Sequence, residues 1–101
     1  MIVHVIQTRY VGDFQFEVGF SDGRCGIADL RGSLNGPVFE RLHDPGFFAQ
    51  GELDAEVGTI VWPNGADIAP EYLYFLALRD DPGLAELFQQ WGYLQDQPAT
   101  R

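Results

Sequence analysis

Phe14-Gln15-Phe16-Glu17-Val18-Gly19-Phe20 alternates apolar and polar residues without a fault. Only an extended chain, whose successive side chains point to opposite faces, turns that alternation into one continuous apolar surface. The pattern therefore places Phe14, Phe16, Val18 and Phe20 on the buried face of a strand. Ser21-Asp22-Gly23-Arg24 follows, and Asp-Gly suits the positive φ angles of a two-residue type I′ turn. Cys25 to Leu30 is then expected to return antiparallel, with Phe20 facing Cys25 and Val18 facing Ile27. In that register Asp29 falls opposite Phe16, a conflict that a bulge or an early end to pairing would resolve. Upstream, Ile2 to Val11 is apolar on both faces in its first half, as a central or covered strand would be, and Gly12-Asp13 turns it into the Phe14 strand. The three segments make a meander.

Pro37 sits where a first helical residue should, and Val38, Phe39 and Leu42 give a short amphipathic turn or two. Asp44-Pro45-Gly46 starts a second short turn carrying Phe47 and Phe48. Leu53-Asp54-Ala55 and Thr59-Ile60-Val61-Trp62, separated by Glu56-Val57-Gly58, read as a second hairpin. The chain thus predicts an α+β fold with a small antiparallel sheet of about five strands. From Pro70 the period changes, with Tyr72, Leu73, Leu76 and Ala77 on one helical face. A second Asp-Pro-Gly, at Asp81-Pro82-Gly83, opens a helix in which Leu84, Leu87, Phe88, Trp91 and Leu94 recur at three- and four-residue spacing. In both Asp-Pro-Gly starts, Asp is expected to supply the cap oxygen and Pro the preset φ. The expected division is a core over residues 1–79, a C-terminal amphipathic helix of the same domain over 80–95, and a loose tail over 96–101.

The chain has 101 residues, 46% of them apolar and including eight Phe, four Tyr and two Trp, which suffices for one core and not for two. Fifteen carboxylates face six arginines and no lysine, a net charge of −9. That balance argues against a direct nucleic-acid binder, because such affinity rests on cations that neutralise phosphates. It equally suits a face complementary to a basic partner, although acidity is most simply a solubilising surface. Cys25 is the single cysteine, which excludes an intramolecular disulfide and a cysteine-based metal site. The first residues lack the basic region and small-residue cleavage site of a signal peptide, and no apolar run approaches the ~20 residues of a spanning helix. A cytoplasmic protein without membrane attachment is expected.

Catalytic constellations are not legible, and the expectation is a non-enzyme. His4 lies in an apolar segment and reads as a satisfied core residue. His43, just before Asp44-Pro45, reads as a favourable cation at a helix C-terminus. No His-x-His, His-x-x-x-His or Glu-x-x-His spacing suggests a metal, and no GxGxxG or P-loop suggests a nucleotide, so no cofactor is expected. Cys25 is expected to point inward beside Phe20 as an inert thiol. Two features remain as candidate sites. The turn Trp62-Pro63-Asn64-Gly65-Ala66-Asp67, with Glu71 in the helix that follows, offers an aromatic face, an amide and carboxylates, which is what a small recognition pocket uses. Its plain alternative is a structural turn with Trp62 capping the core and Asp67 bonding local amides. The stripe Leu84, Leu87, Phe88 and Trp91 must fold back on the core, pair across a homodimer, or dock on another protein.

The order of features resembles the small bacterial domain-of-unknown-function family numbered 2442 over roughly residues 2–79. The specific segment is Gly58-Thr59-Ile60-Val61-Trp62-Pro63-Asn64-Gly65-Ala66-Asp67-Ile68-Ala69-Pro70-Glu71. Supporting it are the Phe14 to Phe20 strand, Ser21-Asp22-Gly23, Asp29-Leu30, Gly36-Pro37-Val38-Phe39-Glu40-Arg41-Leu42, Asp44-Pro45 and Phe48. The resemblance implies a small α+β domain with helices packed on an antiparallel sheet. It also implies an antitoxin-like partner of a second small protein, of the family numbered 4160, in a toxin–antitoxin-type pair. Some relatives append a helix-turn-helix, but the stretch after Arg79 holds one amphipathic helix and a tail, so DNA binding is not carried over. The expected function is a protein interaction or regulatory module, with a basic, toxin-like protein or a second copy as partner. Small-ligand sensing through Trp62 to Asp67 is the alternative, and an enzyme of unknown type the third reading.

Overall fold

The computed structural model describes residues 3–93. Strands β1 (Val5–Gly12), β2 (Gln15–Phe20) and β3 (Cys25–Asp29) form an antiparallel sheet in the order β1-β2-β3. The alternating segment is thus the middle strand, and Phe16, Val18 and Phe20 are buried from it as its pattern requires. β1 is an edge strand, not a central one, and its apolar residues are not all covered, since Ile6 is 60% exposed. Two register shifts, between Val5 and Gln7 and between Tyr10 and Gly12, leave Ile6 and Val11 as extra residues in β1. Bulges of this kind twist an edge strand and discourage further pairing along it.

The turn chemistry differs from expectation at both connections. Asp13 (φ 54) and Phe14 (φ 62) carry the two positive φ angles of the β1–β2 connection, between the paired Gly12 and Gln15. A phenylalanine there is strained. Its ring packs 5.0 Å from that of Phe48, and the Arg31 guanidinium donates to the Asp13 carbonyl at 3.1 Å, so tertiary contacts hold the strained pair.

At the β2–β3 connection only Gly23 (φ 91) has positive φ. Gly23 N–H donates to the Phe20 carbonyl, Phe20 N–H to the Arg24 carbonyl, and Asp22 Oδ1 accepts from Arg24 N–H. This is a three-residue loop, a turn closed by a glycine in the left-handed region, and not the two-residue type I′ turn. The register slips by one. Phe16 pairs with Ala28, Val18 with Gly26 and Gln15 with Asp29. Cys25 is consequently exposed, not inward, and Ile27 is 50% exposed. The expected conflict of Asp29 with Phe16 vanishes, because Asp29 Oδ2 instead accepts from the Gln15 side-chain amide at 3.3 Å.

A 3₁₀-helix (Pro37–His43) and a single turn of helix, α1 (Pro45–Phe48), follow. Leu42, Phe47 and Phe48 are buried, whereas Val38 is 49% exposed. Asp44 makes no side-chain cap, and its carbonyl accepts from Phe48 N–H instead. β4 (Glu52–Asp54) and β5 (Thr59–Val61) form the second hairpin, so the five strands divide between a three-stranded and a two-stranded sheet. α2 (Pro70–Leu78) lies on the inner face of β3, where a Cβ at Gly26 would come within 2.5 Å of the Ala77 carbonyl oxygen. After a short 3₁₀ turn (Pro82–Leu84), in which Asp81 Oδ1 does cap Gly83 N–H, α3 (Ala85–Trp91) packs on α2 through Phe88 against Tyr74 and Phe75. α2 is therefore enclosed, with Tyr74 and Phe75 buried alongside Leu73 and Leu76. Leu94, the end of the expected helix at 95 and the expected tail at 96–101 lie outside the described residues.

Two aromatic clusters share this core. Tyr10, Phe14, Phe16, Phe48 and Trp62 form one; Phe20, Tyr74, Phe75, Phe88, Trp91 and Tyr93 form the other. Strand β2 contributes Phe16 to the first and Phe20 to the second, which ties the second hairpin and α2 to one sheet.

Candidate functional site

Trp62 ends β5 and is 2% exposed, with its indole Nε1–H donating to the Phe48 carbonyl at 2.8 Å. Its ring stands 5.5 Å from Phe48 and 6.1 Å from Phe16. Only a residue without a side chain fits beside it, since a Cβ at Gly51 would sit 2.7 Å from the indole. Beyond it the turn closes on itself: Gly65 N–H donates to the Trp62 carbonyl and Trp62 N–H to the Ala66 carbonyl. Asn64 is bonded at both ends of its amide, its Oδ1 accepting from Ala66 N–H at 3.1 Å and its Nδ2 donating to the Val38 carbonyl at 3.1 Å. Asp67 is exposed and pairs with Val61 only as an isolated backbone bridge; among the described residues its carboxylate makes none of the local amide bonds considered for it. Glu71 is half-buried in the first turn of α2. The turn is thus a packed structural unit, and Trp62, Asn64, Asp67 and Glu71 do not converge on one cavity.

A concave surface lies next to this turn, on the second hairpin. One depression of about 500 Å³ is bounded by Glu52, Leu53, Asp54, Val61, Trp62 and Pro63. A second, of about 510 Å³, is bounded by His4, Ile6, Leu53, Ala55 and Glu56. Leu53 and Ala55 line both, so the two adjoin at the hairpin. Val57, 51% exposed, stands in the connecting loop, where Asp54 Oδ1 accepts from the amides of Glu56 and Val57. Glu52, Asp54 and Glu56 form no ion pair among the described residues, and no arginine lines either depression. Between them the depressions present the apolar Ile6 and Leu53 and the carboxylates of Glu52, Asp54 and Glu56.

The C-terminal stripe is mostly interior. Phe88 is 0% exposed and Leu84 is buried, while Leu87 and Trp91 are half-buried against the core. Of the three routes open to this stripe, the chain takes the fold-back. His4 is exposed and precedes β1, so it is not a core residue; its N–H donates to Ser21 Oγ at 3.1 Å. His43 closes the 3₁₀-helix with Nε2 2.7 Å from the Leu34 carbonyl. Among the described residues no three His, Cys, Asp or Glu side chains are placed to hold a metal ion.

One polar cluster has no sequence signal, because Tyr74 lies 52 positions from Asp22. The Tyr74 hydroxyl donates to Asp22 Oδ2 at 2.6 Å, and Arg24 Nη1 lies 3.1 Å from the same oxygen. Burial, then the Asp22 carboxylate, pushes the Tyr74 hydroxyl up to about 12. Asp22 moves down: burial raises it, but the bonds from Tyr74 and from the Arg24 amide and guanidinium outweigh that. Tyr74 stays protonated in the fold after it would ionise in the unfolded chain. Its stabilisation is therefore complete below pH ~10 and is lost as pH rises toward ~12, by about 2 kcal/mol. Tyr74→Phe should cost about 1–2 kcal/mol at neutral pH. Urea midpoints of the wild type and variant should then converge above pH ~10; a gap that stays constant to pH ~12 would show that the hydroxyl is uncoupled. Taking the difference removes Tyr93, which burial and then Glu71 also push up.

No helix among the described residues is long and apolar enough to cross a membrane. No curated protein and no solved structure matches the chain. A family profile does match, over residues 5–78, and that span runs from the first residue of β1 to the last of α2. The matched stretch holds the meander, both hairpins and the packed Trp62 turn, and it covers most of the 101 residues. The chain therefore belongs to the family described as "Protein of unknown function (DUF2442)".

Proposed function

We propose that this protein is a cytoplasmic protein-binding module, the acidic, antitoxin-like half of a two-protein bacterial pair, and that its partner docks on the second hairpin. The observation that supports this reading is the pair of adjoining depressions that share Leu53 and Ala55. Ile6 exposes an apolar side chain in one of them and Val57 another in the hairpin loop beside them, while Glu52, Asp54 and Glu56 carry charge that no arginine of the described residues neutralises. Apolar contact flanked by uncompensated carboxylates suits a basic protein surface with an apolar anchor, the charge steering the encounter and the anchor holding it. The partner site thus moves from the C-terminal stripe, where Leu84 and Phe88 are used in the core, to the hairpin. Ligand sensing through the Trp62 to Asp67 turn has less support, because Asn64 and the indole are already bonded within the protein.

Capture of the tagged protein from its native host tests this reading when run beside the variant Ile6→Asp/Glu52→Gln/Glu56→Gln. All three positions are exposed, so the variant should keep its fold within about 1 kcal/mol. A stoichiometric basic protein should co-purify with the wild type and be lost from the variant. Salt of about 1 M, where the screening length falls to about 3 Å, should also weaken the complex. Identical recovery from both proteins, or no partner from either, would overturn the proposal.

A further inference from the structure

A groove of about 730 Å³ runs between β3 with its following turn and the far end of α2. Ile27, Asp29 and Arg31 bound one side and Tyr72, Leu76 and Arg79 the other. Not all of its hydrogen-bonding groups are engaged among the described residues. The Ser33 and Tyr72 oxygens lie 2.7 Å apart and share one hydrogen bond. Two hydroxyls carry two hydrogens, so one remains to donate, and among the described residues it has no acceptor. The Arg79 guanidinium lies over the Phe75 ring, 4.8 Å from its centroid, a cation–π contact that does not use its N–H donors. It makes no hydrogen bond or ion pair within the described residues. On the acceptor side, Asp29 is already engaged: Oδ1 accepts from Arg31 N–H at 3.0 Å and Oδ2 from the Gln15 amide. Asp80, exposed beside Arg79, is the one carboxylate of the groove without a bond there. The groove thus holds free donors, the Arg79 N–H groups and one hydroxyl hydrogen, beside the unbonded Asp80 carboxylate. Ile27, half exposed on the outer face of β3, and Leu76 of α2 supply the groove's apolar surface from its two sides.

We propose that this groove binds a small organic oxyanion, a carboxylate or phosphate monoester. Its oxygens would accept from Arg79 and from the spare hydroxyl hydrogen of the Ser33–Tyr72 pair, and its apolar body would lie against Ile27 and Leu76. Arg79 provides the planar, always-charged fork that recognises such groups. Ile27 and Leu76 discriminate against the bare ion. Asp80 opposes the ligand's charge.

Titration of the full ¹⁵N-labelled chain with benzoate, phenyl phosphate and inorganic phosphate, followed by amide chemical shifts, tests the site. Saturable shifts are expected around Ser33, Tyr72 and Arg79, and phenyl phosphate should bind more tightly than inorganic phosphate. Preference for benzoate over phenyl phosphate, or the reverse, assigns the oxyanion as carboxylate or phosphate. Arg79→Gln should weaken binding by about tenfold or more, since it removes a charge-assisted contact. Asp80→Asn should strengthen it. Arg41→Gln is the control, because Arg41 also stacks on an aromatic ring, 4.3 Å over Phe47, but lies outside the groove. Equal weakening by Arg41→Gln, shifts that never saturate, or shifts spread over every arginine would overturn the proposal.

Discussion

Phe88→Ala is expected to lower stability by about 3–5 kcal/mol, a large share of what a domain of this size has. Phe88 is 0% exposed and its ring stands 5.2 Å from Phe75, 6.0 Å from Tyr74 and 5.9 Å from Trp91. Truncation leaves a cavity walled by three aromatic rings, which cannot collapse inward without moving α2. Leu87→Ala, one position away and half-buried, should cost about 1 kcal/mol. Guanidinium denaturation gives both values, and size-exclusion chromatography of the same samples reports association. A Phe88→Ala protein that keeps its denaturation midpoint but changes its association state would mean that α3 is a docking element after all.

Trp62→Ala should be as severe, about 3–5 kcal/mol, because the indole joins β5 to α1 by a hydrogen bond and to Phe16 and Phe48 by ring packing. Trp62→Phe should cost roughly half as much: it keeps an aromatic ring, and the Phe48 carbonyl retains its bond from Gly51 N–H. Gly51→Ala in the wild type drives a Cβ to 2.7 Å of the indole, a clash that overpacking precedents put at about 1–3 kcal/mol. In the Trp62→Ala background that cost should largely vanish, since the obstructing ring is gone. Additive losses in the double variant would show that Gly51 is constrained by something other than Trp62. The cycle also separates structure from recognition at this turn, because a residue that only packs shows its whole effect in stability.

Much of this fold is legible in the chain because single-strand alternation and turn chemistry are local. The Phe16 to Phe20 face, the hairpin from Glu52 to Val61 and the Pro70 helix start all stand where their patterns place them. The Asp22-Gly23 connection was ambiguous for a physical reason: Asp-Gly fits a two-residue turn and also a three-residue loop closed by glycine. The two differ by one residue of register, and one residue exchanges the faces of β3. The observed register puts Gly26 and Ala28 inward, and α2 needs that small surface, since its Ala77 carbonyl sits where any Cβ on Gly26 would be. In the alternative register Cys25 and Ile27 would face α2, and their bulk would hold it off. The candidate sites were less legible. Trp62 and Asn64 carry a recognition-like composition, yet their polar atoms bond to Phe48, Ala66 and Val38, partners on other segments.

By itself, then, the sequence determined the fold class, most of the strands and the helix starts, because period and turn residues are properties of short stretches. Tertiary structure alone decided which way β3 faces, that the Leu84 to Trp91 stripe closes over α2, and that Tyr74 meets Asp22 across 52 positions. It also decided where the open surfaces lie, on the second hairpin and between β3 and α2. Those outcomes depend on which apolar faces find each other once the chain collapses, and hydrophobic burial, being non-directional, leaves no mark of its partner in the residues that undergo it.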